Sequence, residues 1–146
     1  MVKKLKELSN RDIDAMCNND RGYGGCFSKD ELPRSLGRKY YILNMQDSND
    51  GGGTHWVLLD NRSPKAIQYF DSMGSIPPSI VKRLMRTTGK KQVINKFELQ
   101  PVGSVTCGWW AIAAAKALEK MEMSDFISHF DMNNFKRNDK TLATLF

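Results

Sequence analysis

QPVGSVTCGWWAIAAAKALEKM, residues 100–121, carries the clearest structural signal of the chain. It begins with turn-forming residues and continues into the most regular helical pattern of the chain. The first two helical turns are apolar nearly all round, which predicts a helix buried in the middle of a domain. Cys107 lies in the first turn, where the partial positive charge of the helix end favours a thiolate. Gly108 follows and leaves room for a backbone or a substrate to approach.

Length and composition limit what the chain can be. Its 146 residues are enough for one domain with its own core, and 40% apolar and 26% charged residues are typical of a soluble globular protein. No apolar run approaches the length of a membrane span, and the lysine-rich start lacks the apolar segment of a signal peptide. We therefore expect a single domain over residues 1–146 that is neither secreted nor bound to a membrane.

The cysteines do not form a metal or disulfide pattern. Cys17, Cys26 and Cys107 are odd in number and have no CxxC spacing, and neither histidine shares a ligand spacing with them. We expect a reducing compartment and no metal. For a lone cysteine on an apolar helix face, a small buried core residue is the common alternative to a reactive thiol.

The net charge of +6 comes from local clusters of basic residues. One cluster lies on an amphipathic helix that Pro77 and Pro78 open, that runs to about Thr88, and that Gly89 ends. Its cations are Lys82, Arg83 and Arg86, with Lys90 and Lys91 following. Such a patch suits a polyanionic partner such as DNA, although a solvated basic face is the commoner explanation of such a cluster.

Several further elements are predicted from apolar periodicity and turn residues. Residues 54–60 (THWVLLD) are apolar on both faces, which favours a central strand. The other predicted strands are residues 38–45, 66–71 and 92–99. Residues 22–25 are interpreted as a glycine-rich connection, and residues 133–146 are left unassigned. The two remaining predicted helices are residues 11–17, capped by Ser9 and Asn10, and a helix capped by Ser124 that reaches His129.

A hairpin between two of these strands brings a histidine to a carboxylate. If residues 61–65 form the loop, Leu59 opposes Ile67 and His55 opposes Asp71, with Cβ atoms about 4.5–5.5 Å apart. A carboxylate so placed fixes the tautomer of the ring and leaves the other nitrogen free as a base. A shift of one residue would destroy this pairing, and a purely structural pair is the alternative.

Three motifs resemble those of the adenain-like maturation cysteine proteases of adenovirus type, whose clan also holds the SUMO-specific proteases. They are GGGTHWVLLDNRSP at residues 51–64, YFDSMG at residues 69–74 and LQPVGSVTCGWW at residues 99–110. The order His, acid, Gln, Cys is that of the clan, and the glutamine lies seven positions before the cysteine, as in adenain. GCFSKDELP at residues 25–33 is similar to proteases of this type in virophages, polinton-like elements and large DNA viruses, which suggests such a source.

The resemblance implies an α+β fold with a mixed sheet of about five strands packed against the Cys107 helix. It implies that Cys107 is the nucleophile, His55 the general base and Asp71 its orienting partner. Gln100 would donate a side-chain N–H to the oxyanion hole, together with the backbone N–H of Cys107.

The resemblance also implies substrate-binding residues. Trp56 would cover a narrow slot for small residues, with a core aromatic on a central strand as the alternative. Gly53 would form a flexible edge of the substrate groove or merely part of a loop, and Gly108 would allow close approach of the substrate.

The implied function is a cysteine endopeptidase that processes viral capsid and virion precursor proteins through a thioester, next to Gly or other small residues. It would need no cofactor, with DNA or a peptide as an activator, although neither Cys17 nor Cys26 aligns with the cysteine that bridges adenain to its activating peptide. We expect a monomer in the virion and in the virus factory of the infected cell, in its cytoplasm or nucleus.

Two alternatives stay open. An isopeptidase that removes SUMO or ubiquitin belongs to the same clan, but about fifty residues before His55 leave little surface for gripping a folded partner. A non-catalytic DNA-binding virion protein is the other, and preferential alkylation of Cys107 over the other cysteines would distinguish an enzyme from it.

Overall fold

The computed structural model describes residues 4–46 and 55–146, which form one five-stranded sheet and five helices. The strands are β1 (Tyr23–Ser28), β2 (Tyr40–Asn44), β3 (Trp56–Asp60), β4 (Ala66–Phe70) and β5 (Lys91–Ile94). The helices are α1 (Asn10–Cys17), α2 (Ser79–Thr87), α3 (Cys107–Leu118), α4 (Met123–Ile127) and α5 (Phe135–Ala143). None of these helices in the described ranges is long and apolar enough to cross a membrane.

The strand order in the sheet follows the chain order, from β1 to β5. The central strand β3 is antiparallel to β2 and β4, whereas the edge strands β1 and β5 run parallel to their neighbours. Every residue of β3 is buried, which confirms the prediction of a central strand from its uninterrupted apolar sequence.

The prediction of a connection at residues 22–25 is wrong, because β1 begins there. Its glycines are part of the strand: a Cβ on Gly24 would lie 2.4 Å from the ring of Tyr41 on β2, so only a residue without a side chain fits. The strand predicted at residues 92–99 is too long. It ends at Ile94 because the Asn95 side chain bonds the backbone of Phe97 in both directions and forms a turn.

Both faces of the sheet are covered. Helices α1, α3, α4 and α5 contribute to the core on one face, and α2 packs on the other face through Val81 and Met85. The first nine residues of α3 are all buried, as the sequence predicts for the central helix. Their run of alanines allows α3 to lie close against β3.

The helix ends agree only in part with the sequence predictions. Ser9 caps α1, and its hydroxyl and the Asp12 carboxylate bond reciprocally to the two backbone N–H groups. The predicted cap at Ser124 is wrong, because α4 begins one residue earlier, where the side chain of Met123 is buried in the core. The unassigned tail forms α5, which Asn134 caps.

Candidate active site

His55 and Asp71 meet at one end of the inner strands β3 and β4. His55 immediately precedes β3 and Asp71 immediately follows β4, and because these strands are antiparallel, the two residues lie at the same end. The Nε2 atom of His55 is 2.8 Å from Oδ1 of Asp71. Asp71 is buried, and its Oδ1 also accepts from the backbone N–H of Met73. This carboxylate therefore holds the ring in one orientation.

The register that predicted this pair is wrong, although the pair forms. In the structure Leu59 opposes Tyr69, two residues further along β4 than predicted. Arg62 folds back so that its Nε lies 2.9 Å from Oδ1 of Asp60, and the turn takes two more residues. Because side chains alternate with a period of two, a shift of two keeps every residue on its predicted face. His55 and Asp71 become diagonal neighbours, which long side chains can still bridge.

Cys107 lies beside the start of β3. It is the first residue of α3, and the backbone N–H of Trp56 donates to its Sγ atom at 3.5 Å. Its side chain also interacts with the His55 ring, and this interaction contributes to the raised pKa of the imidazole. Since Nε2 of His55 faces Asp71, Nδ1 is the ring nitrogen that remains for the thiol. Asp71, His55 and Cys107 thus follow one another in a single chain of polar contacts.

The surroundings of His55 favour its charged form. Burial by itself would lower the pKa of the imidazole, but hydrogen bonds and charge interactions with Asp71 and Cys107 outweigh it and raise the pKa to about 10. At neutral pH the ring is therefore an imidazolium. It can retain a proton that the thiol gives up.

Gln100 is buried and held at both ends of its side-chain amide. Its Oε1 accepts from the hydroxyl of Ser72 at 2.6 Å, and its Nε2 donates to the carbonyl of Ser104 at 2.8 Å. The carbonyl of Ser104 can only accept a hydrogen bond, so the end of the amide that faces it is the nitrogen. One Nε2 hydrogen is used by Ser104, which leaves the second for an oxyanion. The sequence reasoning missed Ser72, whose one signal is its position directly after Asp71.

The N-terminal segment covers the predicted substrate slot. The indole N–H groups of Trp56 and Trp109 donate to the backbone carbonyls of Leu8 and Lys6 respectively. A Cβ on Gly108 would lie 3.1 Å from Leu8 Cβ and 3.3 Å from Trp56 Cδ1. The room beside Gly108 is thus occupied by the chain itself, and substrate binding there stays a prediction that requires Leu8 to move. Gly53 lies outside the described residues.

The basic helix is on the opposite face of the sheet from α3. Arg83 and Arg86 are exposed and Lys82 is half-buried. Lys90 was expected in the same patch, and its Nζ atom donates to three oxygens of the loop between β3 and β4, so the DNA-binding patch stays a prediction. These hydrogen bonds hold the ammonium group at the loop.

Comparison with known proteins supports the fold. No protein-family model matches the chain, and no curated protein matches it in sequence. Two crystal structures of the ASFV pS273R protease, one of them in selenomethionine form, are similar to it with a TM-score of 0.51 and 24% sequence identity. The similarity covers 73% and 74% of this chain but 44% and 42% of theirs, so the chain spans less than half their length. The predicted α+β cysteine-protease fold with five strands is thereby confirmed.

Proposed function

We propose that this protein is a cysteine endopeptidase in which Cys107 is the nucleophile, His55 the general base and Asp71 its orienting partner. The observation that carries the proposal is the position of His55 between the Asp71 carboxylate and the Cys107 thiol, at the N-terminus of a buried helix. The similarity of the fold to a viral protease supports a protease function in general.

The first half of the reaction forms a thioester. In the reactive form the proton of the Cys107 thiol is already on Nδ1 of the His55 imidazolium, and the thiolate attacks the carbonyl carbon of the scissile bond. The oxyanion of the tetrahedral intermediate accepts from the backbone N–H of Cys107 and the second Nε2 hydrogen of Gln100. His55 then protonates the leaving amine, the C–N bond breaks, and the acyl group stays on Cys107.

The second half regenerates the enzyme. His55 takes a proton from a water molecule, whose oxygen attacks the thioester through the same oxyanion contacts. The C–S bond breaks, the carboxylic acid product leaves, and the proton returns to the thiolate–imidazole pair. Asp71 keeps Nε2 of the ring occupied throughout, so that Nδ1 always faces the reacting atoms.

The proposed substrates are extended segments of viral capsid and virion precursor proteins, cut next to Gly or other small residues. Exposed apolar side chains on the loop that follows Asp71 and on both sides of Gln100 in the chain support binding of a peptide: Val102 is 82% exposed, Ile76 62% and Phe97 54%. The exposed cations of α2 support DNA as a guide or activator that binds away from the site. The proposed setting is the virion and the virus factory, with the protein acting as a monomer of adenain-like type from a virophage, polinton-like element or large DNA virus.

The test is incubation of the protein with capsid precursors of its source element, followed by N-terminal sequencing of the fragments. We expect cleavage next to small residues by the unaltered protein and none by Cys107→Ala. Fluorogenic ubiquitin and SUMO fusions serve as the comparison. Efficient turnover of these fusions, with the precursors left intact, would favour the isopeptidase. A protein that cleaves neither the fusions nor the precursors but still binds DNA would be a non-catalytic virion protein.

A further inference from the structure

A carboxylate outside the triad holds the loop that joins Gln100 to Cys107. Asp139 lies on α5, and its Oδ2 accepts from the hydroxyl of Ser104 at 2.7 Å. Its Oδ1 accepts from the hydroxyl of Thr106 at 2.9 Å and from the indole N–H of Trp110 at 3.1 Å. One side chain thus ties two loop residues to the second turn of α3.

The residue before it grips the other end of the same loop. Asn138 is buried, and its Nδ2 donates to the carbonyl of Leu99 at 3.0 Å. Its amide is itself fixed, because it also bonds the backbone of Asp131 in both directions. Helix α5 therefore holds the backbone directly before Gln100 and the side chains directly before Cys107.

This arrangement extends to the Gln100 amide. The carbonyl of Ser104, whose hydroxyl Asp139 holds, accepts from Nε2 of Gln100. That hydrogen bond determines where the second Nε2 hydrogen points, because the amide group is planar. The position of Ser104 therefore sets the direction of the hydrogen that the proposed mechanism gives to the oxyanion.

We propose that Asp139 is a positioning residue for catalysis: through Ser104 it aims the Gln100 side chain at the oxyanion. The proposal rests on the proposed protease function. It predicts a defect in the transition state and not in substrate affinity, because the oxyanion exists only after attack. It also predicts that the Cys107 thiol itself stays reactive, since none of these contacts involves Sγ or His55.

The docking of α5 does not depend on Asp139 alone. Leu142 and Ala143 are buried in the core beneath the same helix, and Asn138 makes its own hydrogen bonds. Removal of the carboxylate should therefore leave α5 in place and loosen only the loop at residues 101–106. Ser104→Ala removes the same link from the other side without changing α5, and serves as a second variant should Asp139→Asn fold poorly.

The experiment measures kcat and KM of Asp139→Asn and Ser104→Ala on a precursor-derived peptide, together with the rate at which iodoacetamide alkylates Cys107. Arg137→Ala, an exposed change on the same helix, is the matched control. We expect kcat to fall by about 10- to 10²-fold, the larger value being typical of losing an oxyanion donor. KM and the alkylation rate of Cys107 should stay within about 2-fold of those of the unaltered protein. Combined with Gln100→Ala, Asp139→Asn should add no further loss, because both act on one donor.

Three results would overturn the proposal. They are an unchanged kcat in Asp139→Asn, a further loss of the same size when Asp139→Asn is combined with Gln100→Ala, and a fall in the alkylation rate of Cys107 that parallels the fall in kcat. Amide hydrogen exchange of residues 101–107 distinguishes a failure of the positioning role of Asp139 from a failure of the proposed protease function. Even in a protein that cleaves nothing, Asp139→Asn should speed exchange in this loop relative to Arg137→Ala. Unchanged exchange would show that Asp139 does not hold the loop.

Discussion

Replacing Asp71 by Asn tests the charge arrangement at the site. The pKa of about 10 for His55 lies well above the ordinary 6.5, and the difference corresponds to a net stabilisation of the imidazolium by about 5 kcal/mol from its neighbours. An adjacent opposite charge typically moves a pKa by about 1–3 units. Asp71→Asn keeps the shape of the side chain but removes its charge, so the pKa of His55 should fall towards 6.5.

The direction in which the pH profile should shift depends on which protonation state of His55 is active. The imidazolium is present below its pKa and is lost as the pH rises through it, so the unaltered protein should keep its activity up to pH about 10. In Asp71→Asn the alkaline limb of the profile should move down by about 1–3 pH units. The same pair stabilises the fold: its contribution is complete below pH about 6.5 and disappears as the pH approaches about 10.

The assay is the pH dependence of Cys107 alkylation and of peptide turnover, between pH 5 and the alkaline limit of the fold. Asp125→Asn is the matched control, because it removes one exposed carboxylate on α4 and changes the net charge equally. If the alkaline limb of Asp71→Asn lies at the same pH as that of the control, His55 owes none of its raised pKa to Asp71 and the proposed charge arrangement is wrong.

Three further predictions concern the other proposed functional residues. Cys107→Ala should abolish proteolysis while Cys26→Ala leaves it largely intact, since burial raises the pKa of the Cys26 thiol to about 12; fragment yield on a gel decides this. Gln100→Ala should lower kcat by about 10²-fold with little change in KM, and an unchanged kcat in steady-state kinetics would remove Gln100 from the oxyanion hole. Arg83→Ala combined with Arg86→Ala should reduce the salt dependence of DNA binding by about 0.9 log unit per log unit for each lost phosphate contact, and equal slopes in salt titrations would exclude α2 as the DNA-binding surface.

The sequence predicted the elements whose signals are local. The apolar run after Cys107 predicts α3, and the uninterrupted apolar residues of 54–60 predict the central position of β3. The meeting of His55 with Asp71 was predicted despite a wrong register, because an error of two residues preserves the faces of a strand. The prediction of this contact held only because the register was wrong by an even number of residues.

The features that the sequence did not reveal depend on contacts between distant segments. Strand β1 was missed because Gly24 fits beneath Tyr41, and nothing near Gly24 in the chain indicates that ring. The cover that Leu8 forms over Trp56 joins residues 48 positions apart, and a carbonyl acceptor leaves no trace in composition. The role of Asp139 is equally hidden, since its partners lie more than one element away along the chain. Such interactions follow from tertiary packing and not from propensity or periodicity.

The three tryptophans of the chain give the protein a built-in optical reporter. Trp56, Trp109 and Trp110 are all buried around Cys107, and they account for every indole in the sequence. Two of them are tied to the N-terminal segment and the third to Asp139. Release of the N-terminal segment would place two indoles in water and shift the emission to longer wavelength, whereas loosening of α5 would change the third. Intrinsic fluorescence of the unlabelled protein can therefore follow the opening of this region in real time, without a substrate.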